Sequence, residues 1–257
     1  YILNTLKSKI FEFENQKTIL HMFNSKYFLD KKETENIPIG LFGNFYSHEL
    51  AFFLINKNDY KNLHNIFNKC NLKIKKIISK SFIEGANIIE NNSNLETFVK
   101  IKIDKENSKI IFFENSSLKF FQEFNFGTDL IVNDISKITA MKKNIVNNIL
   151  INLDLSIKNE EEFIEKNFFP DQNFRKIKKK LIIDIANARI QELAEVIIFK
   201  NLNFKSFVKK KITIFLKINN TSDFKCLDES FNFFFSNKGE YDLRIIDDAS
   251  IKNLILS

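Results

Sequence analysis

The sequence predicts a mixed α/β fold, and two patterns along the chain support this prediction. In residues 97–126 apolar residues recur at alternate positions, and polar turns divide the region into the three strands of an antiparallel meander. Elsewhere, strands alternate with segments whose apolar residues are spaced three and four positions apart, as on one helix face. The chain has only 5 Gly and 2 Pro in 257 residues, which excludes a disordered or fibrous protein.

The region before the meander predicts a small α/β unit that is followed by further helices and a strand. Its loop over 36–43 contains Pro and Gly residues and is typical of a turn-rich connection. Leu63, Ile66 and Phe67 follow Asn58 at helical spacing, so Asn58 is the predicted N-cap. The predicted elements are a helix over 1–13, strands over 17–23, 26–30 and 45–55, a helix after Asn58, a strand over 72–78 and a helix over 81–90.

The region after the meander predicts mainly helices, with two further strands. A long amphipathic helix is the main feature, and it follows a break at Pro170. The predicted elements are helical segments that fill 128–151 and 159–166, helices over 173–203 and 222–235, and strands over 211–217 and 241–246.

The charge of the chain leaves two interpretations open. The formal net charge is +7, which would suit a basic module that binds nucleic acid or another polyanion. However, only three of the 39 basic residues are Arg, and Arg is the residue that base readout and bidentate phosphate binding favour. We therefore expect no nucleic-acid partner, and we keep the polyanion-binding module as the alternative.

The sequence shows no pattern of catalytic or metal-binding residues. Cys70 and Cys226 lie far apart and form no zinc motif, so we expect two buried, reduced thiols. His48 and His64 have no partner at ligand spacing, and no nucleophile motif accompanies His21. We therefore expect neither a metal site nor an enzyme, and we expect His21 to be packed or hydrogen-bonded.

Residues 15–43 contain an Ile-Leu-His strand, a second strand that ends in Asp, and a loop with spaced Asn, Pro and Gly residues. These positions are Ile19, Leu20, His21, Asp30, Asn36, Pro38, Gly40 and Gly43. With this pattern the chain resembles FtsA, a family of bacterial cell-division proteins of the actin-like ATPase class. The similarity continues through 48–55, the helix to Cys70, and 81–89.

A weaker resemblance extends toward the end of the chain. Residues 127–135 are similar to the turn and helix after the third meander strand of the family, with Gly127 and Asp134 matching. Residues 185–193 are similar to a family helix that carries Arg and Glu, here Arg189 and Glu192. The latter two could flank an adenosine, or they could form a surface ion pair at i, i+3 spacing.

The chain departs from the family at its nucleotide loops. An actin-like site needs Gly-rich turns, because backbone amides must approach the phosphates closely. Here the first meander turn begins at Asp104, contains no Gly and carries Glu106, and the adenosine loop contains Asn219. The first phosphate loop of the family would lie before residue 1. We therefore expect a degenerate nucleotide site around Asp104, Gly127, Asp134 and Glu192, with no cofactor and with ATP doubtful.

The resemblance implies actin-like (ribonuclease-H-like) lobes with a small inserted strand-helix-strand-strand subdomain. Residues 1–56 would be most of the inserted subdomain, and 57–93 would be part of the first lobe. Residues 94–257 would be the second lobe, with 134–205 as its outer helical part.

FtsA-like proteins bind the C-terminal tail of the tubulin-like division protein FtsZ, polymerise like actin, and contact later division proteins through the inserted subdomain. The resemblance therefore implies a cytoplasmic scaffold at the inner face of the membrane at the division site, with an active ATP-binding filament protein as the alternative. We expect Arg189 and Lys200 to contact FtsZ, and Pro38, Gly40 and Gly43 to shape a contact loop. We expect membrane contact only through segments that this sequence does not contain.

Overall fold

The computed structural model of the chain describes two compact units. The described residues are 2–34, 36–92, 94–154, 161–170, 173–207, 212–219, 224, 227–236 and 241–246. The first unit comprises residues up to 97 together with 112–120. The second unit comprises 98–111 and 121–250. The predicted boundary at residue 56 remains a prediction.

The first unit contains a three-stranded antiparallel sheet in the order β2-β1-β3. Strand β1 is continuous for 13 residues and pairs with β3 along its length, with register shifts after Ile19 and Asn24. Asp30 and Lys31 both have positive φ, so the chain reverses tightly between β1 and β2. The elements are α1 (Ile2–Phe13), β1 (Lys17–Leu29), β2 (Lys32–Thr34), β3 (Tyr46–Asn56), α2 (Lys57–Lys69) and α3 (Lys80–Asn91).

A second sheet has five strands in the order β6-β5-β4-β7-β8. The three meander strands lie on one side, and β7 pairs with β4 in parallel, as β8 does with β7. The strands are β4 (Phe98–Ile103), β5 (Ser108–Glu114), β6 (Ser117–Phe124), β7 (Ile212–Ile218) and β8 (Tyr241–Ile245).

The helices of the second unit provide most of its apolar core. Helix α6 packs against α4 and α8, and it buries Ile182, Ile183, Ile190 and Leu193. These side chains recur at helical spacing, so a single stripe meets its neighbours. The helices are α4 (Asp129–Thr139), α5 (Lys143–Asn152), α6 (Lys179–Ala194), α7 (Leu202–Phe207) and α8 (Leu227–Ser236).

Four predicted elements differ from the observed ones. The described part of 1–56 contains one helix and then three strands, instead of the order strand-helix-strand-strand. Residues 72–78 form no strand, because no other described segment pairs with them.

The helical segments predicted over 128–151 are confirmed as α4 and α5, which are separated at Ala140 with a φ of 52°. The helical segment predicted over 159–166 is wrong in its described part, because residues 161–165 form no helix and Phe163 instead forms an isolated bridge with Lys178.

The long helix predicted over 173–203 is shorter and irregular. Residues 177–179 instead bond to another segment, through the amide of Ile164 to Ile177 and the amide of Lys179 to Glu162. At the other end the amide of Lys200 bonds to the carbonyl of Glu195, and Glu195–Phe199 form a π-helical turn.

Candidate functional site

The turn between β4 and β5 is the predicted phosphate-binding hairpin. It closes on itself, because the amide of Asp104 donates to the carbonyl of Asn107 at 2.8 Å. Lys105 and Glu106 at its tip are exposed. The turn therefore presents a carboxylate and backbone carbonyls instead of the amide cluster that binds a phosphate.

Gly127 allows helix α4 to pack directly on this turn. A Cβ atom at Gly127 would lie 2.0 Å from the carbonyl oxygen of Asp104. The amide of Thr128 donates to Asp104 at 3.0 Å, and that of Asp129 donates to Lys105 at 2.9 Å. The amides at the N-terminus of α4 thus donate to carbonyl groups of the turn. Without these bonds, the same amides would favour the binding of an anion.

The side chain of Asp104 is held by donors from two neighbouring strands. Oδ2 accepts from Nζ of Lys102 at 2.7 Å, and Oδ1 accepts from Nδ2 of Asn219. The amide of Asn219 also donates to the carbonyl of Ile103 at 2.9 Å. Asp104 therefore connects the ends of β4 and β7. A magnesium ion needs a free carboxylate oxygen, but Oδ2 of Asp104 is already bonded to the ammonium group of Lys102.

Asp134, Arg189 and Glu192 form one ion cluster between α4 and α6. Nε of Arg189 lies 2.5 Å from Oδ2 of Asp134, and Nη1 lies 2.7 Å from Oε2 of Glu192. The i, i+3 pair between Arg189 and Glu192 is therefore formed, as one of the two interpretations predicted. The single positive charge of Arg189 is shared by two carboxylates, and its pair with Asp134 joins α6 to α4.

A small pocket opens beside the hairpin turn. It has a volume of about 160 Å³, which is below the roughly 300 Å³ at which ligand pockets usually begin. Oγ1 of Thr128 is buried and has no hydrogen-bond partner in the described part of the chain. This pocket could not be predicted from the sequence, because Asn147, Ile151 and Phe224 belong to no motif and lie far from the hairpin turn along the chain. It is lined by Lys105, Thr128, Asp129, Asn147, Ile151 and Phe224.

Pro38, Gly40 and Gly43 lie in an exposed apolar loop, which we define as residues 36–45. Gly40 has a φ of 80°, and a Cβ at Gly43 would lie 2.4 Å from the side chain of Leu29. Oδ1 of Asp30 accepts the amides of Asn44 and Phe45 at 2.9 and 2.8 Å, which fixes the end of the loop. The exposed large side chains are Ile37, Ile39, Leu41, Phe42 and Phe45.

Lys200, like Arg189, is already ion-paired within the protein. Its Nζ lies 2.5 Å from Oε2 of Glu195, which raises the pKa of Lys200 through a hydrogen bond and the opposite charge. The side chain of Lys200 remains 72% exposed, so a partner can reach it. The contact with FtsZ at these two residues remains a prediction.

The lysines before α6 also have acidic partners. Lys178 pairs with Glu161 at 2.6 Å and Lys179 pairs with Glu162 at 2.8 Å. These pairs lower the pKa of both glutamates, with the lysine hydrogen bond as the largest cause. The lysine run is therefore partly neutralised by a neighbouring segment.

The prediction of two buried thiols can be compared with the structure at Cys70. Cys70 is exposed, so the expectation of a buried thiol is wrong there, because α2 buries none of its residues. Cys226 lies outside the described residues. Where side chains are described, no three His, Cys, Asp or Glu groups lie together as metal ligands. No described helix has the length and apolar character to cross a membrane.

Comparison with known proteins identifies the fold. No protein-family model and no curated protein sequence matches the chain. A solved structure described as the PilM-PilN type IV pilus biogenesis complex is similar over 96% of this chain, with 6% identity and a TM-score of 0.55. The meander followed by two parallel strands agrees with this similarity. The chain has a mixed α/β actin-like ATPase fold.

The predicted fold class is thereby confirmed, and two other solved structures are more distantly similar. This chain spans 62% of the PilM-PilN chain. The MreB5 protein of Spiroplasma citri bound to AMPPNP has 14% identity and a TM-score of 0.49, with 78% of this chain and 63% of that chain covered. The EutJ protein of Carboxydothermus hydrogenoformans has 9% identity and a TM-score of 0.45, with 74% and 56% covered.

The actin-like fold implies a nucleotide with magnesium, and the hairpin of the second unit does not fit that group. The amides of Thr128 and Asp129 are bonded to turn carbonyls, and the carboxylate of Asp104 is bonded to Lys102 and Asn219. A phosphate would have to break these bonds and approach Glu106.

Proposed function

We propose that this chain is a cell-division scaffold of the FtsA type that acts without bound ATP. In this role it would link the tubulin-like ring protein FtsZ to the membrane-bound division machinery, on the cytoplasmic side of the division site. It would be a binding protein and not an enzyme.

The closed hairpin turn supports the absence of nucleotide. In the described part of the second unit, the amides of Thr128 and Asp129 and the carboxylate of Asp104 already have protein partners, whereas Oγ1 of Thr128 has none. Breaking a satisfied, partly buried hydrogen bond costs roughly 1–3 kcal/mol, so several such losses would offset phosphate binding.

The resemblance of residues 15–90 to FtsA supports the division role. The apolar loop adds to this support, because five neighbouring exposed apolar side chains suit a protein contact. The polyanion-binding alternative is less well supported, since Lys178 and Lys179 are paired with acidic residues.

The first test is a calorimetric titration of the protein with ATP and magnesium. We expect no saturable heat at millimolar nucleotide, because the amides of Thr128 and Asp129 and the carboxylate of Asp104 are occupied. One-to-one saturable binding would contradict the nucleotide-independent scaffold and favour the active ATP-binding alternative.

The second test is binding of the C-terminal FtsZ tail peptide from the same organism, measured by fluorescence anisotropy. We expect binding that weakens by about 0.5–1 kcal/mol for Lys200→Glu, because an exposed charge at an interface rim contributes about this much. The exposed Lys143 provides the matched control, and Lys143→Glu should leave the affinity unchanged.

Arg189→Glu tests the other predicted contact, but it also breaks the cluster with Asp134. Its thermal unfolding must therefore be compared with that of the parent protein. Equal affinity of the parent and the Arg189→Glu, Lys200→Glu double variant would remove this region from the interface. No tail binding by the folded parent protein would contradict the division role itself.

A further inference from the structure

The lysine-rich stretch at the start of helix α6 is covered by another part of the same chain. We define residues 176–180, which contain four lysines, as the basic segment, and residues 161–163, Glu-Glu-Phe, as the acidic segment. The two segments run antiparallel, with an isolated bridge between Phe163 and Lys178. The amide of Lys179 donates to the carbonyl of Glu162 at 2.8 Å. The acidic segment therefore lies on the basic segment as an extended peptide ligand would.

The side chains of the two segments are complementary in charge. Oε2 of Glu161 lies 2.6 Å from Nζ of Lys178, and Oε1 lies 3.7 Å from Nζ of Lys180. Oε2 of Glu162 lies 2.8 Å from Nζ of Lys179. The acidic segment supplies only two carboxylates for four lysines, so a more acidic peptide would be attracted more strongly.

Phe163 supplies an aromatic contact beside these ion pairs. Nζ of Lys176 lies 4.5 Å from the centroid of the Phe163 ring, which itself remains exposed. An aromatic residue of another peptide could make the same cation–π contact. The covering segment thus shows which chemistry the basic segment accepts, namely an extended chain with acidic residues next to an aromatic one.

The acidic segment is held at the surface, whereas the residue that follows it is anchored in the core. The side chains of Glu161 and Glu162 are 65% and 74% exposed, and exposed ion pairs contribute little because water and salt screen them. Ile164, by contrast, is only 2% exposed, and its amide donates to the carbonyl of Ile177 at 2.8 Å. The acidic segment can therefore leave the basic segment while Ile164 stays in place.

We propose that the acidic segment is an intramolecular competitor for an acidic, extended peptide of a partner protein. The partner peptide displaces residues 161–163, pairs with the lysines of the basic segment, and accepts the amide of Lys179 with a main-chain carbonyl. A peptide fits better than a nucleic acid, because the observed occupant is itself a peptide bonded through its main chain. Under the proposed function this partner is the FtsZ tail, so the identity of the peptide rests on that function.

The test measures the affinity of the full chain for a synthetic peptide with the sequence of residues 159–166, by fluorescence anisotropy. Glu161→Gln with Glu162→Gln removes the charges that hold the acidic segment. We expect this variant to bind the peptide about tenfold more tightly than the parent protein, because a larger fraction of molecules has an open site. The FtsZ tail peptide should show the same gain. Adding Lys178→Glu and Lys180→Glu to the variant should abolish the binding of both peptides.

The matched control is Glu106→Gln with Glu229→Gln, which removes two exposed carboxylates elsewhere in the second unit and should leave both affinities unchanged. Hydrogen exchange provides a second measurement. In the Glu161→Gln, Glu162→Gln variant the amide of Lys179 should exchange faster and the amide of Ile164 should stay protected. Either peptide should restore the protection of Lys179.

Three outcomes would overturn the proposal. The first is equal affinity of the parent and the Glu161→Gln, Glu162→Gln variant for the peptide of residues 159–166. The second is faster exchange of Ile164 together with Lys179, because the acidic segment would then not open independently of the core. The third is an equal gain in affinity for duplex DNA, which would assign the basic segment to polyanions instead of a peptide.

The peptide of residues 159–166 separates this proposal from the proposed function. Tighter binding of this peptide by the variant, with no binding of the FtsZ tail by parent or variant, would confirm the competitor and contradict the division role. Binding of the FtsZ tail that is equally tight in parent and variant would support the division role and contradict the competitor.

Discussion

Gly85 sets how closely α3 packs on Phe113 in the first unit. A Cβ at Gly85 would lie 2.0 Å from the ring of Phe113, which no small adjustment removes. We predict that Gly85→Ala destabilises the protein by about 1–3 kcal/mol in urea unfolding, because overpacking outweighs the helix propensity of about 1 kcal/mol that Ala adds.

Phe113→Leu provides the control for this prediction. In that background Gly85→Ala should cost less, because the smaller side chain leaves room for the methyl group. Equal costs in the two backgrounds would show that the ring is not the cause.

His21 makes stability in the first unit dependent on pH. Its Nε2 accepts the amide hydrogen of Ser79, and burial, followed by the charge of Lys76, lowers its pKa below 6.5. The neutral ring is therefore favoured in the folded state. We predict that stability is fully present above about pH 6.5 and is lost as the pH falls toward the lowered pKa.

The measurement is the free energy of urea unfolding between pH 5 and 8. His21→Gln keeps an acceptor but does not titrate, so this variant should lose the pH dependence in that range. A parent protein whose stability is constant from pH 8 to 5 would contradict the role of His21.

The apolar loop carries large apolar side chains that are almost entirely exposed. Asp30 fixes its end, while Ile39 is 85% exposed and Phe42 is fully exposed. We predict that Ile39→Ser with Phe42→Ser reduces self-association in sedimentation velocity by at least about tenfold, because exposed apolar anchors dominate contacts.

The folded stability of this variant should change by less than about 0.5 kcal/mol, since neither side chain is packed. Ile138→Ser with Leu202→Ser removes similarly exposed apolar side chains from the second unit and should leave self-association unchanged. Equal association of both variants would exclude the loop as the contact.

Elements with their own periodicity were predictable from the sequence, and elements that depend on distant partners were not. The meander strands lie where the alternation of apolar and polar residues predicted them, because each strand pairs with its neighbour in sequence. The strand pattern at 72–78 is equally clear, but a strand also needs a partner that periodicity cannot supply. Likewise, helical spacing continued through 173–178, where backbone bonds to 162–164 replace the helix.

At the candidate site the sequence indicated the residues but not their roles. Spacing predicted the pair of Arg189 and Glu192, since both lie on α6. The third member of this ion cluster, Asp134, lies on α4. Similarly, the hydrogen bond between Asn219 and Asp104 joins the ends of β7 and β4. Such contacts between remote segments depend on the sheet order, which no local pattern encodes.

At the scale of the whole molecule, fold and function rest on different evidence. The structural similarity to the PilM-PilN chain, with a TM-score of 0.55 over 96% of this chain, establishes an architecture although the identity is only 6%. A shared fold does not by itself imply a shared function. The division role depends on residues 15–90 and their resemblance to one family. The tail-binding experiment tests that role independently of the fold.

The contact of α4 with the hairpin turn has a consequence for timing. In proteins that switch with a nucleotide, loss of a phosphate can release a segment and change its contacts, so hydrolysis acts as a clock. Here the turn is closed by Gly127 and the amides of Thr128 and Asp129, so the nucleotide-independent scaffold proposed above would have no bound phosphate to lose. A polymer of this chain would have no such clock, and its lifetime would follow the concentration of its subunits and partners.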